Sequence, residues 1–108
     1  MTKYRPDHWK LVKITGTDPH YRVFGSWETG NPFNGDNWRL NSGIIGVTED
    51  DKKYYFKGHS GSTYECSKDS YGSTDYGVGI LKHHTHDLFT PLETQPDNIM
   101  EMDWIITA

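Results

Sequence analysis

At 108 residues the chain has the size of a single domain, expected to span residues 1–108, and no internal stretch is polar and long enough to separate two cores. An apolar share of only 33% beside 14% aromatics predicts a small core built from rings, and a formal charge of −4 argues against general attraction to a nucleic-acid polymer. Cys66 is the only cysteine, which excludes an intramolecular disulfide and multi-cysteine metal patterns; with no apolar leader after Met1 and no run of about eighteen apolar residues, the expected setting is the cytoplasm, away from membranes.

In chain order, His8 to Ile14 alternates, with Trp9 and Leu11 on one side and Val12 and Ile14 on the other, and predicts a first strand. After the turn chemistry of Thr15–Pro19, His20 to Glu28 repeats the pattern: Tyr21, Val23, Gly25 and Trp27 share one face, and Arg22, Phe24 and Ser26 the other. Thr29 to Asp36 is dense in turn formers and reads as an exposed loop. Trp38, Leu40, Ser42 and Ile44 then alternate, but Ile45 and Val47 shift the apolar phase by one position, which a bulge near Asn41-Ser42-Gly43 explains. Glu49–Lys52 forms a hairpin turn into Lys53–Lys57, and Gly58–Ser62 a tight turn into Thr63–Cys66. Ser73 to His84 carries helical spacing weakened by Gly77 and Gly79, Pro91 and Pro96 bracket a loop, and Met100 to Ile106 alternates as a final strand. The expected fold is therefore α+β: a twisted antiparallel meander of about five or six strands with one short helix, the alternative being a small β-barrel.

Charge is unevenly distributed. Lys3, Arg5, Lys10, Lys13 and Arg22 outweigh Asp7 and Asp18 before residue 23, whereas beyond Lys82 come Asp87, Glu93, Asp97, Glu101 and Asp103 with no Lys or Arg. An acidic end of this kind is either a solvated face or a surface for a basic partner. A small ring-rich core also predicts a homo-oligomer, since pairing buries surface that one core leaves exposed.

The runs Asp7–Ile14, His20–Phe24, Asp36–Ile44, Gly61–Cys66 and Tyr71-Gly72 resemble a family of small proteins encoded by tailed phages of marine bacteria, in the same order across residues 7 to 82. The family carries no known activity, and residues 83 to 108 depart from its pattern. The resemblance implies a phage accessory protein acting in the infected bacterial cytoplasm, where interference with a host defence signal or enzyme is the expected role.

No catalytic group emerges from the residues. His83-His84-Thr85-His86 places three imidazoles together, but neighbouring positions on a helix or strand point apart, so no metal is expected there. The same cluster matches only half of a two-histidine phosphodiesterase pattern, and Gly58-His59-Ser60-Gly61-Ser62 fails the spacing of a nucleophile elbow. That turn can instead serve as an anion nest beside Lys57, or as an ordinary hairpin turn. Cys66 reads as a small buried hydrophobe.

The remaining set is distributed: Arg22, Trp27, Trp38, Arg39, Asn41, Ser42, Lys57, His59, Ser60 and Tyr71 combine rings that stack on bases with groups that hold phosphates. They predict a site for a small nucleotide-like ligand, with Trp27 and Trp38 as core residues the competing reading. Three functions follow, in order: a noncatalytic binder that sequesters a nucleotide signal, an inhibitor that binds a host protein, and a small hydrolase. No cofactor is expected.

Overall fold

The computed structural model describes residues 2–16, 18–28, 37–73, 79 and 89–104. The paired alternation of the first two predicted strands is realised in full: β2 (His8–Ile14) and β3 (His20–Ser26) form an antiparallel hairpin in register from His8↔Ser26 to Ile14↔His20. Opposite residues share a face, so Trp9, Leu11 and Val23 point one way with Trp27, and Val12 and Phe24 point the other. β4 (Trp38–Leu40) joins the free side of β3, and β8 (Phe89–Pro91) the free side of β2. Pro91 lacks an N–H for a ladder, which is tolerated because β8 is an edge strand among the described residues; the residue expected to open the Pro91–Pro96 loop ends a strand.

A second sheet runs β1-β7-β6-β5, from β1 (Lys3–Tyr4), β7 (Thr63–Ser67), β6 (Lys53–Gly58) and β5 (Ile44–Glu49). Its pairs are antiparallel except β1 with β7, which run parallel with Lys3↔Thr63 and Tyr4↔Tyr64. The expected single sheet is thus corrected to two four-stranded sheets, and among the described residues they do not close into a barrel. Their facing sides share one core of Trp9, Leu11, Val23 and Trp27 against Tyr4, Ile44, Phe56, Tyr64 and Cys66. Rings dominate it as predicted, with Trp9 4.8 Å from Tyr71, 5.4 Å from Phe56 and 6.0 Å from Tyr54 between centroids.

The predicted continuous strand from Trp38 is also corrected. Its first part lies in one sheet and its second in the other, and the corner is Asn41-Ser42-Gly43, where Gly43 takes φ +123°. The slip in apolar phase marks this change of sheet: Trp38 and Leu40 pack with Phe24 on the outer side, whereas Ile44 enters the shared core. A register shift between Ile44 and Gly46 follows immediately. The expected helix from Ser73 to His84 falls almost wholly outside the described residues. The last predicted strand is replaced in its first part by a 3-10 turn at Ile99–Glu101, closed by the Glu101 N–H donating to the Asn98 carbonyl. Ile99, not Met100, is buried, and Trp104 enters the core while its carbonyl accepts the Tyr21 N–H.

The β5–β6 hairpin turns on Asp50, whose Oδ1 accepts the N–H groups of Lys52 and Lys53 at 2.8 Å and whose Oδ2 accepts the Tyr55 hydroxyl at 2.6 Å. The Tyr55 hydroxyl, then the two backbone donors, hold the Asp50 carboxyl at about 2, below its ordinary 3.8. A depressed carboxylate favours the folded hairpin above its unfolded value, and that contribution disappears as pH falls from about 4 through about 2. A carboxyl-carbon NMR titration of Asp50 is expected to centre near 2 and to move upward in Tyr55→Phe; a wild-type midpoint at 3.8 contradicts the arrangement.

Candidate functional site at the seam between the sheets

The corner at Asn41–Gly43 is where one sheet hands the chain to the other, and it gathers six of the ten residues singled out in the sequence. Arg39 stands opposite Gly25 in the β3–β4 ladder, so it faces away from the side that Trp38 and Leu40 pack on and toward the first strand of the facing sheet. Its guanidinium lies 4.7 Å above the Tyr4 ring, and Tyr4 in turn packs 5.0 Å from Tyr64. Two residues on, Asn41 is 3% exposed and acts as a backbone surrogate: Oδ1 accepts the N–H of Val23 at 2.8 Å and of Gly43 at 3.3 Å. Its Nδ2 reaches the other sheet, 3.3 Å from where a Cβ on Gly58 would stand, so a side chain there would press on Asn41 and Ser42.

Ser42, His59 and Ser60 form the rim. The Ser42 hydroxyl oxygen accepts the Ser60 N–H at 2.9 Å, and the Gly43 carbonyl accepts the His59 N–H at 2.8 Å. The Gly58 N–H donates to Ser62 and the Gly61 N–H to Gly58. The backbone donors of Gly58, His59, Ser60 and Gly61 are therefore engaged internally, and the turn serves as a buttress for the corner instead of an open nest. Side chains remain for a ligand: His59 and Ser60 are exposed, as is Lys57 just before the turn.

Two polar groups are enclosed at the seam, the Tyr64 hydroxyl beside the Arg39 guanidinium and Asn41 Nδ2, which has no hydrogen-bond partner among the described residues. Burial pushes the Tyr64 phenol well above its ordinary value, opposed by the charge of Arg39 beside it. Nδ2 can only donate, the phenol is held protonated, and a guanidinium accepts nothing. The seam thus holds enclosed donors next to one positive charge, on an Arg39 that is only half-buried. Among the described residues no carboxylate pairs with Arg39 or Lys57, whereas Arg5 and Lys53 meet Glu65, Lys10 meets Glu93 and Lys68 meets Glu49. The chemical complement of this set is an acceptor-rich anion.

The other four residues are placed elsewhere. Trp27 is core, 3% exposed, its Nε1–H donating to the Arg5 carbonyl at 3.0 Å. Trp38 stacks on Phe24 at 5.7 Å on the outer side of its sheet. Tyr71 is a strut: its hydroxyl donates to the Leu92 carbonyl at 2.7 Å and accepts the Leu11 N–H at 3.1 Å, and burial raises its phenol to about 12. Arg22 touches the corner only through His20, donating from Nε to His20 Nε2 at 2.9 Å, while the His20 ring lies 3.4 Å from the Cβ position of Gly43. Sequence reasoning missed Tyr4, which fell in no predicted element, and Tyr64, which read as an ordinary strand residue.

Cys66 is fully buried and its thiol is raised well above the ordinary value by that burial, then by Glu65, which disfavours a thiolate nucleophile. Among the described residues no group of three or more His, Cys, Asp or Glu side chains is placed to hold a metal, and His83 to His86 lie outside them. No helix among the described residues is long and apolar enough to cross a membrane. No family model, curated protein or solved structure matches the chain.

Proposed function

We propose that the protein is a noncatalytic binder of a nucleotide-type ligand, gripped by its phosphates at Arg39 with Ser42, His59 and Ser60 around it. The observation that carries this reading is the Arg39 guanidinium, 4.7 Å above the Tyr4 ring on a half-buried residue, and without a carboxylate partner among the described residues of an acidic protein. A ligand phosphate supplies the anionic acceptors that the described residues do not. The resemblance across residues 7 to 82 extends the proposal to its setting, a phage accessory protein that sequesters a host immune signal in the infected cell.

Calorimetric titration against cyclic di- and trinucleotides and ADP-ribose-type signals tests it. Charge-assisted bonds to Arg contribute about 1.5–3 kcal/mol each, so Arg39→Ala is expected to weaken binding roughly tenfold to a hundredfold. Undiminished binding by Arg39→Ala displaces the site. Failure of the wild type to bind any of these ligands removes the sequestration reading and leaves inhibition of a host protein, for which the exposed acidic residues Asp97, Glu101 and Asp103 offer a surface.

A further inference from the structure

The outward side of the β1-β7-β6-β5 sheet is basic in a protein whose net charge is −4. Opposed residues set Lys3, Thr63, Lys57 and Gly46 in one row across the four strands, with Glu65, Tyr55 and Thr48 in the next and Ser67 and Lys53 beyond. Arg5 joins the middle row through its ion pair with Glu65, which also lies 3.9 Å from Lys53 and is only 9% exposed. Asp50, at the hairpin end, is turned onto Tyr55 and its own loop. Lys3, Arg5 and Lys57 are left exposed, and the Gly46 end of their row is open, with no atom within 4 Å of a Cβ position there.

That end belongs to β5, an edge strand that pairs only with β6 among the described residues. Next to Gly46, Ile45 is 55% exposed. The Ile99–Glu101 turn packs against the same strand and shows Met100 at 45% exposure, flanked by exposed Asp97, Glu101 and Asp103 with no cation partner among the described residues. A basic face that reaches β5 through Lys57 and Gly46, an acidic strip and two exposed large apolar side chains therefore border one strand. We propose that a second copy of this chain docks across β5, its Asp97–Asp103 strip against Lys3 and Lys57 and its Met100 against Ile45 and Gly46. The register shift at Ile44/Gly46 interrupts the edge, so the contact is made by side chains and not by a continued ladder.

Sedimentation equilibrium at micromolar concentration is expected to show more than one chain at low ionic strength and to approach one chain near 1 M salt, where the screening length falls to about 3 Å. Lys3→Glu/Lys57→Glu and Asp97→Lys/Glu101→Lys are each expected to sediment as single chains, and an equimolar mixture of the two to re-associate. All four positions are exposed or on the surface rows, and circular dichroism checks that both variants keep the wild-type fold. A single-chain mass for the wild type at every concentration overturns the proposal. So does association that survives 1 M salt or either double reversal, or a mixture of the folded variants that stays monomeric.

Discussion

Trp9→Ala is expected to lose roughly 3–5 kcal/mol of folding stability, the usual range for deleting a large buried ring. Trp9 is 0% exposed, stands near the start of β2 and meets rings from both sides: Tyr54 and Phe56 of the facing sheet, and Tyr71 edge-on. Its Nε1–H also donates to the Ser67 carbonyl at 2.6 Å, so the truncation opens a cavity and leaves that carbonyl, at the end of β7, with the Ser70 N–H as its remaining donor. Domains of this size are stable by only about 5–15 kcal/mol, and a core with few aliphatic residues has little to collapse into the gap. Urea unfolding followed by far-ultraviolet circular dichroism is the measurement. A loss below about 1.5 kcal/mol shows that the sheets do not depend on this ring to pack together. Trp9→Phe keeps most of the ring while removing the bond to Ser67, and is expected to fall between wild type and alanine.

The parts of the fold that were legible in the sequence are those set by neighbours along the chain. Alternation in His8–Ile14 and His20–Ser26 assigns faces correctly because each strand is long and buried differently on its two sides. The phase slip after Leu40 was visible too, but a bulge within one strand and a change of sheet produce the same slip. Only the partners decide between them, Val23 on one side of Asn41 and Gly58 on the other, and both are distant in sequence. β1 has two residues and β8 ends on a proline, so neither carries a period to read. In the C-terminal segment, Met100, Met102 and Trp104 alternate as a strand would, yet the turn that starts at Asn98 puts Ile99 inside instead.

The candidate site divides in the same way. The direction of Arg39 followed from its place between Trp38 and Leu40, whereas the Tyr4 ring beneath it and the Tyr64 hydroxyl beside it come from the other sheet. Gly58–Ser62 has the composition of an anion nest, but its N–H groups find acceptors at Ser42 and Gly43 that composition does not announce. Trp27 and Tyr71 have the residue types of a stacking site and serve the interior, which is where a protein with few aliphatic residues draws its packing from.

Asn41→Ala is expected to lose roughly 2–5 kcal/mol, because the side chain completes the backbone hydrogen bonding of two buried neighbours at about 1–3 kcal/mol each. Without Oδ1, the N–H of Val23 loses its 2.8 Å acceptor in the middle of the shared core, and the N–H of Gly43 loses its own at the corner. Water cannot easily replace them, since Asn41 is 3% exposed and Val23 is 0% exposed. The substitution also removes the unpartnered Nδ2, so the net loss is smaller than the two bonds taken in isolation would suggest. The urea midpoint should fall with little change in slope, and the amides of Val23 and Gly43 should exchange with solvent hydrogen faster than those of β6 and β7. Unchanged protection at Val23 would remove Asn41 from its bridging role. Loss of protection confined to Val23 and Gly43, with the Arg39-dependent ligand affinity also reduced, would tie the corner to the site, because this side chain, together with the Asn41 N–H on the Val23 carbonyl and the ladder before it, holds the strand that carries Arg39 to β3.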